Sequence, residues 1–223
     1  MKLNQRLKTI GDLVDPNCKV LDVGCDHALL DIYLVQKNIG IEAIASDISD
    51  GPCTQAKKNI EAFGLQESIA VKMGDGLDSM EPGVTTVILS GMGGGTMKHI
   101  LERGKTSLAQ LDTILVSPNS EVAMLRSFLV QMNFFLTKEV MVQEHQMIYP
   151  VLKFERGHRH YSKRQLLFGP IFLKEKDPLV LAYYQKEWHK IQKILRQLPS
   201  RCVHRKWQLK RYAKKIEHLF FDS

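Results

Sequence analysis

Residues 20–30, VLDVGCDHALL, constrain this chain more than any other stretch. An apolar run stops at a glycine and gives way at once to a helical pattern, which reads as a strand, a tight turn and a helix start. A second apolar run ends in Asp47, 23 residues after Gly24. Neighbouring parallel strands, one ending in a turn at a helix N-terminus and the next in a carboxylate, make a nucleotide-type cofactor site. Diphosphate cofactors want glycines at three spaced positions so that backbone amides can reach the phosphates. Here Gly24 is followed by Cys25, Asp26 and His27, which disfavours a diphosphate. S-adenosyl-L-methionine, with a ribose, an amino-acid tail and no phosphate, suits the pattern.

Strand and helix patterns alternate through the first two-thirds of the chain, as in a parallel sheet covered on both faces. Strands are expected at residues 20–23, 43–46, 70–73, 86–90 and 113–117, with helices at 28–37, 52–63, 96–103 and 121–132. Two further strands, 135–142 and 147–154, lie close enough for an antiparallel hairpin. Pro150 is awkward there, because a central strand uses its amide. The expected fold is α/β, a Rossmann-like, mostly parallel seven-stranded sheet over residues 1–156. Residues 157–170 are basic and poorly periodic and read as a linker. Beyond it, Leu181, Tyr184, Trp188, Ile191, Leu195 and Leu198 fall at alternating spacings of three and four, a heptad seam. Pro199 and Ser200 break it, and Leu209, Tyr212, Ile216 and Leu219 resume it. Residues 171–223 are therefore expected to form an antiparallel, coiled-coil-like α-helical hairpin. An intermolecular coiled coil leaves the same trace, so monomer and homodimer both stay open.

Charge separates the two parts. Residues 1–150 hold 13 Lys+Arg against 18 Asp+Glu, and residues 151–223 hold 18 against 6, which together give the net +7. A cationic tail on an acidic body suggests a polyanionic partner, since neutralising phosphates releases counterions; a solvated lysine-rich helix surface is the plainer alternative. Cys18, Cys25, Cys53 and Cys202 show neither zinc spacing nor disulfide density, so a reducing cytoplasm and no metal are expected. No apolar run approaches a membrane span, and the N-terminus lacks the apolar core of a signal peptide.

Asp22 and Gly24 shape the first turn, whose amides at a helix N-terminus favour a carboxylate by about 0.3–1 kcal/mol. Asp47 stands where one carboxylate can accept from both ribose hydroxyls; capping the following helix is its alternative role. Asp75 in MGDGL is placed to accept from the adenine amine, with Gly76 letting the loop bend, or is an ordinary turn aspartate. The fourth strand runs into SGMGGGT, where Gly91, Met92 and Gly93 let backbone and an apolar side chain approach substrate or the sulfonium methyl. Enzymes that methylate exocyclic amines usually carry Asn or Asp, two prolines and an aromatic there, a motif this chain lacks.

Taken together, GCDHALL, SDISDGP, GDGL, SGMGGGTMKHIL, SPN with LRSFL, and LFGP resemble the bacterial tRNA (adenine(22)-N(1))-methyltransferases, class I S-adenosylmethionine-dependent enzymes, over most of the chain. That family's first motif typically reads G-S-D-H-A-Y-L-P; Gly24, Asp26, His27 and Ala28 match it, while Cys25, Leu29 and Asp31 depart from it. The resemblance implies methylation of ring nitrogen 1 of an adenine in tRNA. That nitrogen carries an in-plane lone pair, so attack needs alignment and acceptors rather than a strong base. Asp26 is the candidate acceptor for the exocyclic amine and the developing positive charge, or else a helix N-cap. Asn119 is a second candidate for the adenine edge, or a cap for the helix from residue 121; His27 reads as structural at the cofactor turn. A base inside folded tRNA must leave its stack and be recaptured by stacking, for which Met92 and Tyr149 both qualify. Arg201, Arg205, Lys206, Lys210, Arg211 and Lys214 are the candidate tRNA-backbone contacts, and Trp188 and Trp207 are hairpin core and edge.

Three rivals remain at this level. A nicotinamide oxidoreductase fits Asp47 and the alternating fold but not the missing glycines. A small-molecule methyltransferase would use the tail only to dimerise, and a noncatalytic RNA-binding module would have no need of Gly24, Asp47 and Asp75 together.

Overall fold

Seven strands form one sheet: β1 (Cys18–Val23), β2 (Gly40–Asp47), β3 (Ile69–Met73), β4 (Val84–Ser90), β5 (Thr113–Ser117), β6 (Phe134–Glu144) and β7 (Met147–Arg156). Their order is β3-β2-β1-β4-β5-β7-β6, with β7 running antiparallel to β5 and β6. The computed structural model describes residues 3–221. The chain divides after Gly169 into two compact units.

The first unit surrounds this sheet with α1 (Gln5–Asp12), α2 (Leu29–Gln36), α3 (Asp50–Ala62), α4 (Gly94–Arg103), α5 (Val122–Gln131) and α6 (Lys163–Phe168). Val20, Leu21 and Val23 of β1 and Val87, Ile88 and Leu89 of β4 are all buried, the continuous apolar pattern of strands covered on both faces. The chain winds from β1 outward to β3, then returns to place β4 on the other side of β1. At such a switch point the loops leaving the two central strands diverge and open a crevice at their C-terminal ends. Val23 pairs with Leu89, so the Gly24 turn and the Gly91 loop border one opening.

α1 had no counterpart in the sequence pattern. Asn4 caps it through Leu7 N at 2.8 Å, and its buried Ile10 joins Val14, Leu30 and Leu34 in one core cluster. Pro150 is accommodated because the β5–β7 register stops at Val116 and Leu152. The proline therefore falls where one flank of β7 is open, which a strand tolerates.

The expected linker 157–170 needs correction. Residues 163–168 form α6 behind a capping box, with Gln165 N donating to Ser162 Oγ at 3.2 Å and Ser162 N donating back to Gln165 Oε1 at 2.8 Å. Phe168 is fully buried, and Arg126, paired with buried Glu139 at 2.7 Å, donates to the Leu166 and Leu167 carbonyls. Drawn at Gly169, the charge division is milder: residues 1–169 carry 18 Lys+Arg against 19 Asp+Glu, and residues 170–223 carry 13 against 5.

The second unit holds α7 (Pro170–Glu175), α8 (Pro178–Gln197), α9 (Val203–Ile216) and a π-helical turn, Glu217–Phe221. Asp177 caps α8 through Leu179 N and Val180 N, with Pro178 at its first position. Within the hairpin Tyr184 stacks on Phe220 at 4.1 Å, and Trp188 Nε1 donates to Glu217 Oε1 at 2.8 Å. Of the expected seam Tyr184, Ile191, Ile216 and Leu219 are buried, joined by Val180, Ala213 and Phe220; Leu195, Leu198 and Leu209 are half-buried. Among the described residues no helix is long and apolar enough to cross a membrane.

Candidate active site

The crevice at the tips of β1 and β4 holds a cavity of about 360 Å³ whose walls include Asp22, Gly24, Asp26, His27, Ser90 and Gly91, together with Asn4 and Arg6 from the start of α1. The floor is the turn after β1. Gly24 (φ +76°), Asp26 (φ +53°) and Ala28 (φ +54°) are all left-handed. For Asp26 and Ala28 that conformation is costly, and such strain clusters at functional sites. Gly24 is there for two reasons: its φ, and the Met92 methyl, 3.0 Å from where a Cβ would stand.

The turn faces the cavity with fewer amides than the sequence suggested. Gly24 N and Cys25 N both donate to the Ser46 carbonyl, at 2.8 and 3.0 Å, and Ala28 N donates to Cys25. Among the described residues this leaves the Asp26 and His27 amides without a backbone acceptor. Asn59 of α3 fixes the turn from below by donating to the His27 carbonyl at 2.9 Å. Asp26 does not cap α2, since Ala28 occupies the cap position and no side chain caps it; its carboxylate is largely exposed, 3.5 Å from His27 Nε2.

Behind the turn lie two buried acids. Burial first, and then the Asp31 and Asp47 carboxylates, push Asp22 well above the usual carboxylate range. Asp31, in the first turn of α2, is fully buried, and among the described residues neither carboxyl oxygen has a hydrogen-bond partner. Burial pushes it up to about 7, offset in part by its own amide. Burial and these neighbouring acids also push the Cys25 thiol up, so it stays protonated and is no nucleophile. Ser90 Oγ, at the cavity wall, is likewise buried without a hydrogen-bond partner among the described residues. An orphan hydroxyl and a buried carboxyl facing one cavity fit a cationic, amine-bearing ligand better than a phosphate.

Asp47 and Asp75 stand outside the walls of that cavity, at the tips of β2 and β3. Asp47 Oδ1 accepts from Ser49 N at 3.0 Å. Asp47 is in register with Met73; Met73 and Ile48 are 68% and 67% exposed. Two large apolar side chains are thus bared next to Asp47, one following it in the chain and one in register with it, and only their exposure reveals them. Asp75 pairs with Arg103 of α4, which also lies 3.7 Å from Asp78. Gly76 is buried, with Ile100 where its Cβ would be.

The roof is made by the loops leaving β4 and β5, joined backbone to backbone. Gly91 N donates to Ser117 O, Asn119 N to Met92 O at 2.9 Å, and Gly94 N to Ser120 O at 3.1 Å. A Cβ on Gly94 would stand 2.6 Å from the Ser120 carbonyl, so the glycine run serves this close approach. Gly93 precedes α4 as its cap residue, and Glu121 caps α4 by accepting from Gly95 N at 2.9 Å. Asn119 does not cap α5; its Nδ2 donates to Gly91 O at 2.6 Å and its Oδ1 accepts from Arg6 at 3.1 Å. Tyr149 lies beneath the same arginine, 4.4 Å from ring centroid to guanidinium. Arg6 thus brings Asn119 and Tyr149 together, and no sequence motif pointed to it.

In the second unit Arg201, Arg205, Lys210, Arg211 and Lys214 are exposed and Lys206 is half-buried. Trp207, 55% exposed, is the hairpin's edge, with the Arg211 guanidinium over its ring at 5.2 Å. Among the described residues no group of three or more His, Cys, Asp or Glu side chains could hold a metal ion.

The chain and its fold have known relatives. The family model for tRNA (adenine(22)-N(1))-methyltransferase matches residues 20–219. The tRNA (adenine(22)-N(1))-methyltransferase of Bacillus subtilis is 33% identical over 228 residues, covering 98% of this chain and 96% of that protein. Among solved structures, the B. subtilis m1A22 tRNA methyltransferase TrmK superposes with a TM-score of 0.91 at 29% identity, covering 98% of this chain and 99% of that one. The M. capricolum TrmK in complex with S-adenosyl-homocysteine gives a TM-score of 0.88 at 26% identity, covering 98% and 97%.

Proposed function

Since the chain belongs to the tRNA (adenine(22)-N(1))-methyltransferase family, we propose how its own residues divide the work of that reaction. The enzyme transfers a methyl group from S-adenosyl-L-methionine to ring nitrogen 1 of an adenine in tRNA. When bound, the donor supplies an electrophilic methyl on a sulfonium centre. Asp22 and Ser90 receive its ammonium, and the two free amides, Asp26 and His27, receive its carboxylate. Asp47 accepts from the ribose hydroxyls, Ile48 and Met73 cover the faces of the adenine, and Asp75 accepts from its amine beside Gly76. Gly24 keeps the floor open, while Gly91, Met92 and Gly93 bring bare backbone and one flexible apolar side chain near the reacting methyl.

The target adenine needs alignment and charge compensation. Asn119 Oδ1 accepts from its exocyclic amine, Asp26 offsets the positive charge that develops on the ring, and Tyr149 or Met92 stacks on its face. No residue is asked to remove a proton before attack, because ring nitrogen 1 already offers its lone pair. We assign this chemistry to the first unit and retention of the tRNA backbone to α9 of the second, through Arg201, Arg205, Lys206, Lys210, Arg211 and Lys214. The free thiols Cys18, Cys25, Cys53 and Cys202 suit a reducing, cytoplasmic setting.

The observation that carries the assignment is the Asn119 amide, held by Gly91 and Arg6 at the roof of a cavity that the buried Asp22 also lines. Incubation with labelled S-adenosylmethionine and unmodified tRNA, followed by nucleoside mass spectrometry, should yield 1-methyladenosine. A tRNA with guanine at position 22 should yield none. Methylation elsewhere, or at the exocyclic amine, would refute the residue roles.

A further inference from the structure

α1 precedes residue 20, where the family match begins, yet it sends Arg6 into the cavity wall. The guanidinium meets Asn119, Tyr149 and Glu144. Nη1 donates to Asn119 Oδ1 at 3.1 Å, the plane lies over the Tyr149 ring at 4.4 Å, and Nε faces the Glu144 carboxylate at 3.7 Å. Arginine only donates and a backbone carbonyl only accepts. With Arg6 on one side and the Gly91 carbonyl on the other, the Asn119 amide has one permitted orientation: oxygen toward Arg6, nitrogen toward Gly91. One lone pair of Oδ1 remains to spend.

Orientation matters for this reaction. Adenine presents a donor amine beside the nucleophilic ring nitrogen. An amide oxygen accepts from the amine and leaves the ring nitrogen free. An amide turned over would set N–H against the amine hydrogens, or would donate to the very lone pair that must attack. We propose that Arg6 is a positioning residue for the target adenine, which locks the Asn119 amide oxygen toward the exocyclic amine and backs the Tyr149 ring from the side opposite the base. Glu144 offsets the charge of Arg6, so the cationic product is not met by an uncompensated cation.

This rests on the reading of Asn119 given above, and the test separates the two. Arg6→Lys keeps the charge but loses the planar fork, so kcat should fall by about 10- to 100-fold, the scale of a misaligned reacting pair. The KM for tRNA and its salt dependence should change by less than about threefold, and calorimetric affinity for S-adenosylmethionine should be unchanged. Asn119→Ala should lose a similar factor, and the double variant should be no worse than Asn119→Ala alone, because coupled residues are not additive. Full kcat in Asn119→Ala would remove the Asn119 reading itself. A reduced kcat in Asn119→Ala beside full kcat in Arg6→Lys and Arg6→Gln would overturn this inference alone. Additive losses, or a raised KM with a shallower salt slope, would also overturn it by making Arg6 a direct phosphate ligand. A fall in melting temperature with weakened donor binding in both Arg6 variants would reduce Arg6 to a support for α1.

Discussion

Asp31→Asn should make this protein more stable at neutral pH. The Asp31 carboxyl is fully buried with both oxygens unpartnered, and burial holds it at about 7 against an ordinary 3.8. About three pK units correspond to a ceiling of about 4 kcal/mol, at 1.36 kcal/mol per unit. The sign follows from proton counting. Between about pH 4 and pH 7 the folded chain keeps a proton on Asp31 that the unfolded chain has lost, so stability falls as pH rises through that window and levels off above it. Asparagine is nearly isosteric and cannot ionise, so the variant should gain about 2–4 kcal/mol at pH 8 and little at pH 4. For a chain of this size that is a rise of about 5–15 °C in melting temperature. The neighbouring Asp22, also pushed up by burial and by the Asp31 charge, keeps part of the wild-type slope in the variant. Thermal unfolding of both proteins from pH 4 to pH 8 measures the difference, and parallel curves would show that Asp31 does not titrate in the fold.

Three further outcomes are expected. Gly24→Ala must adopt φ +76° and displace the Met92 methyl, so stability should drop by about 1–2 kcal/mol and donor affinity by more than about tenfold; calorimetric affinity equal to wild type would remove the Gly24 turn from the donor site. Asp47→Asn should weaken S-adenosylmethionine binding by about 10- to 100-fold, the scale of a charged hydrogen bond, while far-UV circular dichroism stays unchanged, and a shift below twofold would dismiss the ribose role. Combined Lys210→Ala and Arg211→Ala should raise the KM for tRNA and flatten its logarithmic salt dependence by roughly 0.7–0.9 for each phosphate no longer neutralised, and an unaltered slope would place the tRNA backbone elsewhere.

The parts legible in the sequence are those built from local pattern. β1 through β5 follow from apolar runs ended by Gly24, Asp47, Gly74, Gly91 and Pro118, because buried parallel strands leave that continuous signal. The hairpin follows from spacings of three and four. α1 and α6 were not legible as helices, being short and basic, and their stability comes from what they touch: Ile10 in the core, Phe168 beneath the Arg126–Glu139 pair. The Ser162–Gln165 capping box was the one local signal for α6. In the site, strand-tip residues such as Asp22, Gly24 and Asp26 were readable because turn chemistry announces them. Arg6 was not, because its partners lie 113 residues away at Asn119 and on β7 at Tyr149. Ile48 and Met73 read as ordinary apolar residues until the fold left them exposed.

The proposed division of the two tasks between the units has an electrostatic ground. Asp22 and Asp26 line the cavity, Asp31 is buried behind the turn, and Asp47 and Asp75 stand at the tips of β2 and β3, all contributed by the first unit. Such a set suits a sulfonium donor and a base that becomes cationic on methylation, since fixed carboxylates stabilise charge where it develops. The same carboxylates repel a phosphate backbone, at a range of about 10 Å in 0.1 M salt. Acidic chemistry on a polyanion therefore needs its own supply of cations, and the 13 Lys+Arg against 5 Asp+Glu of residues 170–223 are the set proposed to provide it. Cations set among these acids would weaken the interactions proposed for Asp26 and Asp22. Adding acids to α9 would leave the cavity intact and deprive it of substrate, so charge reversal at Lys214 should lower kcat/KM for tRNA while donor affinity, measured by calorimetry, stays constant. Equal losses in both quantities would show that the two functions are not separable by charge.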